Sequence, residues 1–80
     1  MSGRSTVTAD SSPEVSSLVR MANQIARNAA YQPHDVAVAQ VAAHLRDFWH
    51  PSMRSSLIAY VDAGGTGLDP LPTEALDRLR

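Results

Sequence analysis

Apolar side chains recur at three- and four-residue steps over residues 13–30, where Val15, Leu18, Val19, Ala22, Ile25, Ala26 and Ala29 form one stripe on a 3.6-residue period. This predicts a first helix, with Ser16, Arg20, Asn23, Gln24 and Arg27 on the opposite side. Ser11 or Ser12 is placed to cap it, Pro13 suits a first turn, and Glu14 follows Ser11 by three positions as in a capping box. The pattern breaks at Tyr31-Gln32-Pro33-His34, because proline disfavours helical geometry in the residue before it. Asp35 is the expected cap of a second helix over about 35–49, with Val38, Val41, Ala42, Leu45, Phe48 and Trp49 as its stripe. A strand through Val36-Ala37-Val38-Ala39 is the rival, but that run lacks polar alternation and continues into helix-favouring Ala, Leu and Arg.

Pro51 cannot sit deep inside a helix, so the chain is expected to stop near Trp49-His50 and restart with Pro51 in the first turn of a third helix. Met53, Leu57, Ile58, Tyr60 and Val61 mark its inner side as far as about Asp62. Ala63-Gly64-Gly65 then supplies the left-handed conformations that end helices, and His50, just ahead of Pro51, suits a capping or turn role. Between Gly64 and Pro72 a loop anchored by Leu68 and Leu71 is expected. A short last helix over about 73–79 would bury Ala75, Leu76 and Leu79. Residues 1–12 are Ser/Thr-rich, with one Gly and, after Met1, Val7 as the one large apolar side chain. That is too little burial to offset the entropy of ordering, so a flexible, disordered tail is expected there. The reading is all-α: an irregular bundle of three helices plus a short C-terminal one, in a single helical domain over 13–80.

Composition narrows the function. With 80 residues and no cysteine, the chain has neither disulfides nor thiolate-based metal sites to supplement a small core. Help has to come from helix packing, self-association or a larger partner. All seven cationic side chains are arginine, they are interspersed with eight Asp plus Glu, and the net charge is -1. No basic stripe results, which disfavours nonspecific nucleic-acid binding, since that rests on neutralising several phosphates together. No apolar run approaches the ~20 residues of a spanning helix, so a cytoplasmic protein without a membrane partner is expected.

Candidate chemistry is sparse. Gly64-Gly65-Thr66-Gly67 follows a helix instead of a strand and has no lysine after it, so it reads as a helix stop and turn, not a phosphate cradle. His34, His44 and His50 have no metal-ligand spacing, and His44, three before Asp47, is expected to pair with it. Serines such as Ser16, Ser17, Ser55 and Ser56 fall on exposed positions, and a chain this short has little room for a catalytic pocket. No catalytic, cofactor-binding or metal-binding residue is therefore assigned.

Interface chemistry is better represented. Phe48 and Trp49 point about 100° apart on a helix, so both cannot face one narrow core equally. Either Phe48 enters the bundle while Trp49 covers the turn into the third helix, or Trp49 is a partner anchor. Asn is a poor interior helix former, so Asn23 is expected to bond to backbone or to another chain. Arg20 and Arg27, seven apart with Asn23 and Gln24 between them, form a polar strip suited to a partner's carboxylates. The partner-binding candidates are thus Arg20, Asn23, Gln24, Arg27, Phe48 and Trp49.

A resemblance gives these residues a context. Leu18-Val19-Arg20-Met21-Ala22-Asn23-Gln24-Ile25-Ala26, Gln32-Pro33, His44-Leu45-Arg46, Phe48-Trp49 with Pro51 and Met53-Arg54, and Asp62-Ala63-Gly64-Gly65 with Gly67-Leu68 follow one another over about residues 15–71. In that order and spacing the chain resembles the small delta subunit of cytoplasmic NAD-dependent, molybdenum-containing formate dehydrogenases. The resemblance implies a cofactor-free, noncatalytic accessory subunit that supports assembly, stability or molybdenum-cofactor maturation by binding the large alpha subunit. It further implies that alpha carries bis-molybdopterin guanine dinucleotide and iron–sulfur clusters, while beta and gamma carry FMN, the NAD site and further clusters. The competing reading is a helix-turn-helix-like regulator that presents the third helix and Arg54 to DNA. A free-standing metallochaperone-like enzyme using the histidines is a third.

Overall fold

The computed structural model describes residues 14–80, in which four helices and no strand occur: α1 (Val15–Ala29), α2 (His34–Phe48), α3 (Pro51–Asp62) and α4 (Pro70–Asp77). The expected tail over 1–12, and the Ser11, Ser12 and Pro13 start of the first helix, lie outside the described residues. Helix α1 packs on α2, α3 and α4, and α2 also packs on α4. The periodicity explains why: Leu18, Ala22, Ala26 and Ala29 of α1 are buried against Ala37, Val38, Val41, Ala42 and Leu45 of α2, with Leu57 and Leu76 contributed by α3 and α4. Five of these nine facing positions are alanine, and small side chains at the contact let two helix axes approach closely.

Three starts differ from expectation. Glu14 is itself the N-cap residue of α1, with extended backbone (φ -65, ψ 150) and no side-chain cap bond, so it is not the first-turn partner of a serine cap. Asp35 does not cap α2; Pro33 is the N-cap residue, with φ -52 and ψ 147, and its carbonyl accepts the Ala37 N–H at 2.9 Å. Proline already holds the extended geometry a cap position needs, so the helix begins one residue early, and Asp35 instead sits in the first turn with its carboxylate favourably placed against the helix dipole. Helix α4 begins at Pro70 and not near 73, and it ends at Asp77. Pro70 and Pro72 fall where a helix has no intrahelical use for the N–H they lack, so a stretch that reads as a proline-rich loop is the opening turn. Thr73 closes that turn, donating its N–H at 3.2 Å and its hydroxyl at 2.8 Å to the Asp69 carbonyl.

The α2–α3 junction holds together through complementary end chemistry. His50 caps α3 as expected, its Nδ1 accepting the Ser52 N–H at 3.1 Å. Arg54 turns back and donates to the carbonyls of Leu45 at 3.1 Å, Arg46 at 3.2 Å and Trp49 at 2.7 Å. These oxygens lie at the end of α2, where intrahelical donors run out; the Leu45 oxygen also accepts the Trp49 N–H at 3.3 Å. One guanidinium therefore ties the end of α2 to the first turn of α3.

Helix α3 ends as the glycine run predicts. Gly64 adopts φ +89 and donates to the Val61 carbonyl at 3.0 Å, while Gly65 donates to the Tyr60 carbonyl at 2.9 Å, the paired bonds of a Schellman end. Gly65 lies flat on the Tyr60 ring: a methyl group there would sit 2.5 Å from the ring carbons. That ring is held in place, because its hydroxyl donates to the Thr66 carbonyl at 2.5 Å and accepts the Thr66 N–H at 3.1 Å. Gly65→Ala is accordingly expected to cost about 1–3 kcal/mol through overpacking, read as a lowered denaturation midpoint.

At the C-terminus Arg80 forms ion pairs with Asp62 at 2.7 Å and Asp77 at 3.0 Å, joining the end of α3 to the end of α4. The hydrogen bond from Arg80 holds the Asp62 carboxyl below its ordinary pKa, with desolvation opposing it and direct charge attraction adding to it. A carboxylate with a depressed folded pKa contributes stability above its unfolded pKa and loses it as pH falls through the folded value. Asp62→Asn should therefore lower the melting temperature at about pH 7 and match the unmodified chain once the medium is acid enough to protonate Asp62 in the fold. A melting-temperature deficit that persists undiminished to the acid limit would remove the Arg80 pair as its cause.

Candidate partner-docking groove

Several of the partner-binding candidates gather along the α1–α2 pair. A groove of about 550 Å³ opens there, lined by Arg20, Met21, Gln24 and Ile25 of α1, and by His44 and Trp49 at the C-terminal end of α2. Its floor is apolar because Ile25 is half-buried and Trp49, the residue that ends α2, is 94% covered, at 6% exposure. Among its lining residues Met21 is 40% exposed, and Phe48, outside the lining, is 77% exposed. The Phe48 ring stays close to the groove by packing on His44 one turn earlier, ring centres 5.1 Å apart. A smaller hollow of about 150 Å³ continues the groove along the helices, sharing Ile25 and His44 and adding Asn28, Ala29, Gln40 and Val41.

The structure thus brings four of the six partner-binding candidates, Arg20, Gln24, Phe48 and Trp49, to one place and separates the other two. Phe48 and Trp49 exchange the first pair of roles considered for them: Trp49 enters the core and Phe48 stays outside. Helix α2 breaks at residue 49, where the backbone turns extended (φ -86, ψ 139) and leads into α3, and the indole joins the buried cluster with Leu45 and Leu57. Arg27 stands on the exposed crest of α1 and lines a different hollow, of about 470 Å³, with Ala26, Gln32, His34 and Asp69 among its walls.

Asn23 is bonded within its own chain. At 9% exposure, its amide donates to the Gly67 carbonyl at 2.9 Å and its carbonyl accepts the Asp69 N–H at 2.9 Å. Of the two partners expected for it, backbone or another chain, the structure supplies backbone, and the bonds fasten the loop before α4 onto α1.

His44 does not pair with Asp47, which instead pairs with Arg46 at 3.0 Å; His44 packs on Phe48. Met21, Ile25 and His44 line the groove without having been singled out for binding. Met21 had a sequence signal, since it is an apolar residue off the main stripe of α1. His34 pairs with Glu74 of α4 at 2.7 Å, and among the described residues no three His, Asp or Glu side chains are grouped to hold a metal. Arg54, the residue a DNA-binding reading would send outward, turns back and donates from Nη1 to three carbonyls of its own chain.

Residues 17–76 match the family described as NADH-dependent formate dehydrogenase delta subunit FdsD. The chain belongs to this family. No curated protein and no solved structure matches it. The family match spans α1 to α4 almost completely, so the groove residues and the Asn23 clamp all lie within the delta-subunit region. Among the described residues no helix is long and apolar enough to cross a membrane.

Proposed function

We propose that this chain is a noncatalytic accessory subunit that binds the large alpha subunit of an NAD-dependent formate dehydrogenase in the cytoplasm and supports its assembly, stability or molybdenum-cofactor maturation. Membership of the delta-subunit family supports the complex. The observation that carries binding is Phe48, a large aromatic left 77% exposed beside a groove that also holds Met21, Arg20 and Trp49. Exposed aromatics and arginine around an apolar floor are the side chains in which binding energy concentrates. The chain has no cysteine with which to ligate an iron–sulfur cluster, so in this reading the clusters sit on partner subunits. Bis-molybdopterin guanine dinucleotide, FMN and the NAD site belong there too, with beta and gamma in the same complex.

Affinity purification of the tagged full chain, produced together with the formate dehydrogenase subunits, tests this. The alpha subunit is expected to co-purify, and omission of the chain should lower the yield or the molybdenum content of the enzyme. Phe48→Ala should leave stability within about ±0.5 kcal/mol, as for other exposed positions, yet weaken capture by roughly tenfold. A tagged chain that elutes free of every formate dehydrogenase subunit overturns the proposal.

A further inference from the structure

Building on the docking reading above, we propose that the α1–α2 groove receives an acidic amphipathic helix from another subunit, its apolar face on Ile25, Met21 and Phe48 and two of its carboxylates on Arg20 and Arg27. The main groove and its smaller continuation share Ile25 and His44, so one furrow follows α1 from Arg20 to Asn28. At 1.5 Å per residue that is about 12 Å, two turns of a helix. Beyond it, a hydrogen bond between the Gln32 and Gln40 side chains bridges α1's end and α2. A second helix laid along this length would bury the exposed faces of Met21 and Phe48, which the chain itself leaves uncovered.

Charge states what that helix must carry. Helix α1 contains no Asp or Glu at all, and no carboxylate lines the furrow. Arg20 and Arg27 are seven positions apart, which places both on the exposed crest of α1, about 10 Å from each other along the axis; Arg20 lines the furrow, and Arg27 stands outside it on the same crest, over the neighbouring hollow that Asp69 also lines. Neither meets a carboxylate among the described residues, whereas Arg46 pairs with Asp47 and Arg80 pairs with Asp62 and Asp77. The complement is a helix with two carboxylates one heptad apart, flanking apolar residues.

A second copy of this chain does not supply that pattern. Within the described helices, the only carboxylates on α2 are Asp35 and Asp47, twelve apart; α3 carries Asp62 alone, and α4 carries Glu74 and Asp77, three apart. The occupant is therefore a different chain.

The test uses the full chain produced with the formate dehydrogenase subunits. Arg20→Glu combined with Arg27→Glu should lower capture at least ~10-fold, and most of the salt sensitivity of binding should vanish with it. Arg78→Glu, the same substitution on one exposed arginine beyond α4 and so half the charge change, should have little effect, and each single variant, Arg20→Glu or Arg27→Glu, is the charge-matched comparison; circular dichroism checks that each variant keeps its helices. A photo-crosslinking residue at Met21 should attach to an acidic amphipathic helix of another subunit. Attachment to a second copy of this chain, or to a segment without carboxylates, overturns the assignment. So does undiminished capture of the double variant, while leaving the accessory-subunit reading intact. Failure of the unmodified chain to be captured removes that reading, and this assignment with it.

Discussion

Trp49→Ala is expected to unfold most of the population, and its effect on partner capture is expected to follow from that. Trp49 is 6% exposed at the junction of α2 and α3, in the same cluster as Leu18, Leu45 and Leu57. Truncating a buried tryptophan to alanine costs about 3–5 kcal/mol, part of it lost transfer energy and part the cavity left behind. A core of this size supplies roughly the same 3–5 kcal/mol in total, so no reserve remains. The variant should show a large loss of helical ellipticity at room temperature, whereas Trp49→Phe should retain most of the fold. Phe48→Ala, one residue away, is the contrast, because it removes an exposed ring from a folded chain. A Trp49→Ala protein that keeps full helicity and melts cooperatively near the unmodified temperature would show that the indole contributes little to the core.

The second large effect is expected at Asn23. Its two hydrogen bonds link α1 to the loop that precedes α4, one to the Gly67 carbonyl and one from the Asp69 N–H, each 2.9 Å long. Asn23→Ala removes both partners while the backbone groups stay partly buried, which costs on the order of 1–3 kcal/mol. In a domain of this length, that is a melting-temperature drop of about 4–8 °C for each kcal/mol. Asn23→Asp is informative alongside it: a carboxylate still accepts the Asp69 N–H but cannot donate to the Gly67 carbonyl, so about one bond is lost. Amide exchange gives the local reading, since the Asp69 N–H should lose protection far more than N–H groups in the middle of α2. Equal loss of protection along the whole chain would mean that Asn23 acts on global stability and not on the docking of α4.

These two residues also show what kind of information the chain's pattern holds. Trp49 and Phe48 are both apolar, adjacent and at the end of a helix, and the wheel shows that they diverge without showing which one is covered. In the fold, the backbone turns extended at residue 49, Arg54 reaches back to the Trp49 carbonyl, and the indole joins the buried cluster. Asn23 has the polarity of a solvent-facing residue and sits on the flank of α1 opposite the groove. It is buried because a loop 44 and 46 positions further along lies over it.

What the sequence determined by itself is the helical architecture and its punctuation. The stripes of α1 and α2, the restart at Pro51 with His50 as its cap, and the stop at Gly64-Gly65 all rest on interactions within a few residues: 3.6-residue burial, the missing N–H of proline and the left-handed freedom of glycine. The tertiary structure alone decided that Asn23 faces inward, that Trp49 and not Phe48 is covered, and that Met21 and His44 share a groove with Arg20, with Phe48 packed on His44 beside it. Those outcomes depend on which surfaces distant segments cover, and a local pattern carries no record of its neighbours in space.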